Sequence, residues 1–338
     1  MTLQEVILRT KTEHWLRPFA RSAGVLARRK SPRLERVLSD FGIENSFTKA
    51  NVRLREHYGF GLSATAIRTA TLKHAARAEQ LLQKQYATSY RALPVCGPAV
   101  LLAEIDGSML CTVAAGRARQ GSRPRVWQEV RLAAVRPEGS LQTTFAATFD
   151  SVQEIGRRWG HAAKQAGRAL GSHLHALGDG AEWIALQTRA VFGRDATLLT
   201  DYFHVSQYLA AAAPTCCPNR PDQWRRTQQR RLKTGAVQKI LAALANAREA
   251  PQTPEEQAPV RAAHRYLSNR LDTLDYPAAL RANLPIGSGL IESGHKHVLQ
   301  ARLKLPGAAW LPANAEKIAQ LRVLRSNDQW ALLWPKAA

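Results

Sequence analysis

Three acidic residues are the natural starting point for any chemistry in this sequence. Asp106 stands in Glu104-Ile105-Asp106-Gly107-Ser108, Asp179 in the stretch 178–183 (GDGAEW) and Glu292 in the stretch 286–298 (IGSGLIESGHKHV). Three carboxylates brought together without a Cys or His cage form a hard oxygen site, suited to Mg2+ or Mn2+. Two such ions about 3.5–4 Å apart can clamp the attacking and leaving oxygens of an in-line phosphoryl transfer. Each acid also has a plain structural reading. Asp106-Gly107 is a strong hairpin-turn signal. Asp179 with Glu182 three residues on fits a capping box. Glu292, near a helix start, suits the helix dipole. Taken singly, each acid is explained at least as well by its structural reading as by chemistry, and only the elements that carry all three can bring them together.

Those elements are read from the hydrophobic pattern. The stretch Leu174–Val205 reads as strand (174–177), acidic turn, helix (181–192), strand (196–199) and a second acidic turn at Asp201. Two short apolar runs joined by a helix of about three turns predict parallel strands with a crossover helix. Ahead of it, apolar runs at 99–113, 125–135 and 141–149 are separated by hairpin-scale loops at 116–124 and 137–140, which predicts an antiparallel meander. A helix over 151–170 links the two. The order β-β-β-α-β-α-β predicts a mixed five-stranded α/β sheet with helices on its faces. The first and fourth strands can then be neighbours, and ligands of open α/β sheets gather outside strand C-terminal ends. That places Asp106 beside Asp179, and a helix packed across the sheet can add Glu292. His295 and Lys296 fall on the same face of that helix, which is expected to run about five turns to Lys304; a salt bridge from Lys296 to Glu292 is its plain reading.

The remaining chain divides into a helical, basic region at 1–95, a core at 96–205, a helical insertion at 206–285 and a returning segment at 286–338. In the first region Ser46 and Ser63 are placed to cap two helices separated by Gly59-Phe60-Gly61. This is the helix-turn-helix pattern, with Thr65, Arg68, Thr69 and Lys73 available to face DNA; an ordinary helical hairpin with a solvated face has the same pattern. Arg28-Arg29-Lys30 precedes it as a basic segment. In the insertion, Arg225, Arg226, Arg230 and Arg231 form a dense basic run on a helix, either solvated or in contact with phosphate.

Composition supports an acidic partner. The 338 residues hold 48 Lys+Arg against 26 Asp+Glu, a formal charge of +22, and nucleic acid is the first partner such a balance predicts. No apolar run reaches the roughly 18 residues a membrane span needs, and no signal-peptide core is present, so a soluble, cytoplasmic, nucleoid-associated protein is expected. Cys96, Cys111, Cys216 and Cys217 form no Cys-x-x-Cys pair, which argues against structural zinc or a disulfide framework.

The motifs together resemble the DDE transposases of bacterial insertion sequences, in particular the ISKra-type group, distantly related to Mutator-like transposases. The resemblance rests on Glu104–Ser108, on 178–183, on 200–205 (TDYFHV), and on 286–298 with the following Arg302-Leu303-Lys304. It covers roughly residues 40–335. It implies an RNase H-like core, metal-dependent cleavage and transfer of DNA strands at element ends, Mg2+ (or Mn2+) as cofactor, and action as a homo-oligomer on paired ends. It also implies that Asp106, Asp179 and Glu292 are the catalytic metal ligands. Asp201 and His204 match a supporting Asp-x-x-His element, with a helix cap and a packed ring as their alternatives. Gly287, Ser288 and Gly289 would let backbone approach a phosphate or the metal site, and Lys296, Arg302 and Lys304 would contact DNA. The region before the first strand is shorter than in such relatives, so end recognition is expected to be reduced or built differently.

Overall fold

Strand β1, Val100–Val113, runs through the middle of the molecule and carries Asp106 at its centre. It pairs along its whole length with β2, Arg125–Pro137, antiparallel, in the register Asp106↔Leu132 and Gly107↔Arg131. β3, Thr144–Thr148, continues the meander. On the other side β1 pairs in parallel with β4, His173–Gly178, which pairs in parallel with β5, Ala196–Thr200. The sheet order is β3-β2-β1-β4-β5, the mixed five-stranded arrangement of an RNase H-like core. The structure is a computed structural model. It describes residues 30–87, 92–114, 123–247, 249–254 and 257–334, together with residues 8, 9, 15, 16, 18 and 22. Arg28, Arg29 and most of the 116–124 loop lie outside the described residues.

Strand pleating sorts the core into two faces. Leu101, Ala103, Ile105, Ala133, Val135 and Ala146 pack on one face against α4 (Val152–Gln165) and α5 (Glu182–Phe192). Leu110, Val130, Leu132, Ala134 and Ala147 pack on the other face. There they meet helices α1 (Pro32–Glu44) and α3 (Ala64–Ala87) and the returning C-terminal segment, while α2 (Phe47–Tyr58) packs on α1 and α3 in a small cluster of its own around Leu38, Leu54 and Ile67. Glu104, Asp106 and Ser108 belong to this second face by alternation.

The insertion forms its own apolar cluster around Leu209, Leu232, Ile240, Tyr266, Leu267 and Tyr276, anchored on Leu177 of β4 and Leu199 of β5. Its helices are α6 (Tyr202–Cys216), α7 (Pro221–Lys233), α8 (Val237–Ala245), α9 (Pro259–Ser268) and α10 (Tyr276–Arg281). The pattern at 223–248 predicts one helix; two form, because Gly235 turns the chain at φ +75°. After the insertion come α11 (Gly289–Gly294), a π-helical segment (His295–Gln300), α12 (Ala301–Leu303) and α13 (Pro312–Ser326).

Two local expectations change. Asp106-Gly107 is no hairpin turn: the strand continues past it to Val113, held by unbroken pairing with β2. The helix after the Gly-Ser-Gly turn is not five regular turns, because it widens to π geometry at His295. Single π turns inside helices recur at functional sites.

Candidate active site

Register alone brings the first two acids together. Glu104 is paired with Leu177 across the parallel β1–β4 ladder. Two residues further along the chain stand Asp106, still within β1, and Asp179, the first residue past the end of β4. Adjacent strands are about 4.8 Å apart, so the two carboxylates are neighbours. Asp106, Asp179, Asp201, His204, Ser288 and Glu292 all line one small cavity of about 100 Å³.

The electrostatics agree with that placement. The Asp106 carboxyl is pushed up to about 6, first by burial and then by repulsion from Asp179, Glu129 and Glu292, against the lowering effect of the Gly107 N–H that donates to it at 2.7 Å. A carboxylate held among carboxylates carries uncompensated negative charge, which a cation relieves. His295, buried on the π segment, lies 3.8 Å from the Asp106 carboxylate, and its Nε2 is 3.3 Å from the Asp106 carbonyl. Burial presses this imidazole down to about 4, so it sits neutral beneath the acid.

Asp179 follows β4 and is not the capping-box residue its spacing with Glu182 predicts. The N-cap of α5 is Ala181, without a side-chain cap. Asp179 Oδ1 instead accepts the Ala181 N–H at 2.8 Å, an Asx turn that fixes the carboxylate at the strand end. Tyr266 of the insertion donates its hydroxyl to the Asp179 carbonyl, and Arg270 Nε donates to the Gly180 carbonyl at 2.7 Å. The insertion therefore braces the Asp179 turn.

Glu292 is exposed at the rim, in the first turn of α11. Two buried carboxyls hold that turn. Glu104, 1% exposed, accepts the Ile291 N–H at 2.7 Å, one residue before Glu292. Burial drives its own carboxyl up to about 8, against those backbone hydrogen bonds and with Asp201 adding repulsion. Asp201 accepts the N–H groups of Phe203 (2.5 Å) and His204 (2.9 Å) through Oδ1, capping α6. Its Oδ2 accepts the Ser288 N–H at 2.7 Å and the Ser288 hydroxyl. The helix-cap reading of Asp201 is the one its contacts describe, and the same side chain clamps the Gly-Ser-Gly turn that launches α11. Gly287 abuts the Phe203 ring so closely that a Cβ would stand 2.6 Å from it. His204 both lines the cavity and packs against Tyr208 and Tyr266, which stack at 4.1 Å.

The basic residues divide. Arg68, Arg226, Arg230, Lys296 and Lys304 are exposed. Lys304 Nζ donates to Ser108 Oγ at 2.9 Å, close along β1 to Asp106. No ion pair joins Lys296 to Glu292 among the described residues; the helix changes from α to π geometry between them. Lys73 pairs with Glu35 at 2.8 Å, Arg225 with Asp222 at 3.1 Å, and Arg231 bonds Gln228 and the Lys239 carbonyl. Their charge is partly spent within the fold. Arg302 departs furthest from expectation. It is 2% exposed, donates to the Gly42 carbonyl and lies between the Phe47 and Trp310 rings, so it makes no open-surface contact with DNA.

Oxygen-only donors with mutual repulsion suit a hard divalent cation. As the side chains stand, no three His, Cys, Asp or Glu among the described residues are close enough to hold one. Glu104, His295 and Tyr266 are site residues to which the motifs assign no role, and Ser288, expected to let the backbone approach a phosphate or metal, instead donates to Asp201. The signal for Glu104 was present, since it lies two residues before Asp106 on the same strand face.

No protein-family model matches the chain, and no curated protein is similar to it. Among solved structures, the Drosophila P element transposase strand transfer complex is similar at 8% identity and a TM-score of 0.31, with 93% of this chain and 83% of that one covered. At that score the alignment carries no weight, and the fold rests on the strand order and register described above.

Proposed function

We propose that the chain cleaves and transfers DNA strands in a metal-dependent reaction, as a DDE-type transposase of insertion-sequence character. The observation that carries the reading is the single cavity onto which Asp106, Asp179 and Glu292 open from two adjacent strands and a facing helix. The fit to Mg2+ or Mn2+ is one of donor chemistry, and these three residues would hold it. Such an ion, when bound, supplies activation of the attacking oxygen and charge stabilisation at the leaving oxygen.

This chain's own residues do the positioning. Asp106 and Asp179 present their carboxylates from neighbouring strands. Glu104 and Asp201 fix the start of α11, so Glu292 meets them from across the cavity. Neutral His295 packs beneath Asp106 and adds no cation that would compete for the carboxylate. Lys304 beside Ser108, with Lys296 about two turns before it, supplies positive charge for a DNA backbone passing the site. Arg226 and Arg230 extend that field over the insertion, and Arg68 over the N-terminal helices. A second copy of the chain on a paired DNA end belongs to the same reading.

The test uses the purified full-length chain, Mg2+ and a supercoiled plasmid bearing its coding sequence with flanking DNA. Nicking at a flank followed by joining to a second plasmid supports the proposal. Nicking without joining reduces it to a structure-selective nuclease. Binding without metal-dependent nicking leaves a non-catalytic DNA-binding protein and refutes it.

A further inference from the structure

A second cavity, of about 490 Å³, opens where β1 runs out toward the N-terminal helices. Val113 lines it, seven residues beyond Asp106, which places it about 23 Å further along the strand. The backbone of Trp310 pairs with that strand end, Val113 N–H to Trp310 carbonyl at 2.8 Å, so the far wall is fixed to the same strand as the acids. The volume lies within the roughly 300–1,000 Å³ of ordinary small-molecule sites.

Its lining is unusual in two respects. Arg68, Arg123 and Arg302 contribute three cations, and among the described lining residues none is acidic. The rest of the wall is largely flat and apolar, with Leu72, Leu305, Pro306, Trp310 and Leu311. Arg302 is the buried member. Its guanidinium lies 4.6 Å from the Phe47 ring and 4.8 Å from the Trp310 ring. Among the described residues it hydrogen-bonds no carboxylate, and its Nη2 is buried without a partner. A buried cation with no bonded anion is costly to a fold, and burial together with repulsion from Arg322, against the attraction of Glu44, depresses it to about 10. An arriving anion offsets that cost.

We infer that this cavity is a nucleotide subsite, taking a phosphate group on Arg68 and Arg123 over the field of Arg302 and an unpaired base against the Trp310–Leu305 wall. The choice of a nucleotide as the anion rests on the DNA-processing reading above; the cavity itself does not depend on the three acids. The nucleotide comes either from a DNA strand that also passes Lys304 and Asp106, or from free mononucleotide.

The test is photo-crosslinking of the full-length protein in EDTA, so that no cleavage is needed. One arm carries a single-stranded oligonucleotide with 5-iodouracil, the other free 5-iodo-deoxyuridine monophosphate, and the crosslinked peptide is read by mass spectrometry. The expected result is a crosslink within residues 305–311 that is lost in Arg68→Ala/Arg123→Ala and kept in a variant of two exposed arginines outside the DNA-binding surface, Arg189→Ala/Arg194→Ala. In the oligonucleotide arm, the slope of log affinity against log salt falls by about 1–2 in the first double variant. A crosslink from the oligonucleotide alone names the DNA strand as the source; one from both arms names the nucleotide in general. Crosslinks confined to other segments, or unchanged in Arg68→Ala/Arg123→Ala, overturn the inference. Loss of plasmid nicking with this crosslink intact removes only the catalytic reading, and the reverse removes only the subsite.

Discussion

Asp201 offers the sharpest separation between a clamp and a metal ligand. Its two oxygens accept from Phe203, His204 and Ser288, and the side chain is 4% exposed. Asp201→Ala removes an N-cap, worth about 1 kcal/mol, and strands the half-buried Ser288 N–H and hydroxyl, worth about 1–2 kcal/mol each at that partial exposure. The expected loss is roughly 3–5 kcal/mol, a large share of the about 5–15 kcal/mol that holds a typical protein folded. Asp201→Asn keeps one carbonyl oxygen for the α6 cap but turns an NH2 toward the Ser288 donors, and roughly half the loss is expected. Urea unfolding of both variants gives the magnitudes, and plasmid nicking beside it gives the consequence. The clamp predicts graded effects: Asn is destabilised and nicks slowly, and Ala is worse in both. An Asp201→Asn protein with unchanged stability and no nicking would refute the clamp and make Asp201 a ligand in place of Asp179.

Three further outcomes follow from neighbouring contacts. Glu104→Gln keeps an acceptor for the Ile291 N–H, whereas Glu104→Ala leaves that donor buried beside a new void; the Ala variant is expected to lose about 2–4 kcal/mol in urea unfolding and the Gln variant far less. His161 is buried edge-on to Tyr86, and burial with Arg157 and Lys164 lowers it from 6.5 to about 4. The folded state then binds fewer protons than the unfolded one between those values, so stability falls as pH drops from above 6.5 through about 4, by at most about 3 kcal/mol. His161→Gln should flatten that acid limb of the Tm profile, and an unaltered limb would contradict it. Mg2+ should raise the Tm of the wild-type chain in a concentration-dependent way and should not raise that of Asp106→Asn; equal shifts in both would place the ion elsewhere.

Much of this arrangement was legible because it depends on local rules. Ser46 and Ser63 cap their helices as their spacing predicts, accepting from Lys49 and Ala66. The β1–β4 neighbourhood of Asp106 and Asp179 follows from strand order alone. What stayed hidden depends on long-range partners. Asp106-Gly107 has the chemistry of a turn, and only pairing with β2 makes it mid-strand. Glu104 looks like any charged residue in an apolar run until α11, nearly two hundred positions later, supplies its donor. Arg302 and Lys304 read alike in sequence, yet packing of Phe47 and Trp310 buries the first and leaves the second at the surface. Sequence spacing likewise does not reveal the π segment that begins at His295, between Glu292 and Lys296.

The central claim is tested most directly by nicking of the flank-bearing plasmid in Mg2+ by Asp106→Asn, Asp179→Asn and Glu292→Gln, each first shown to fold and to bind DNA as the wild type does. The account predicts that all three lose cleavage while keeping DNA affinity and melting temperature. Wild-type cleavage by any one of the three, above all by Asp179→Asn, would contradict it.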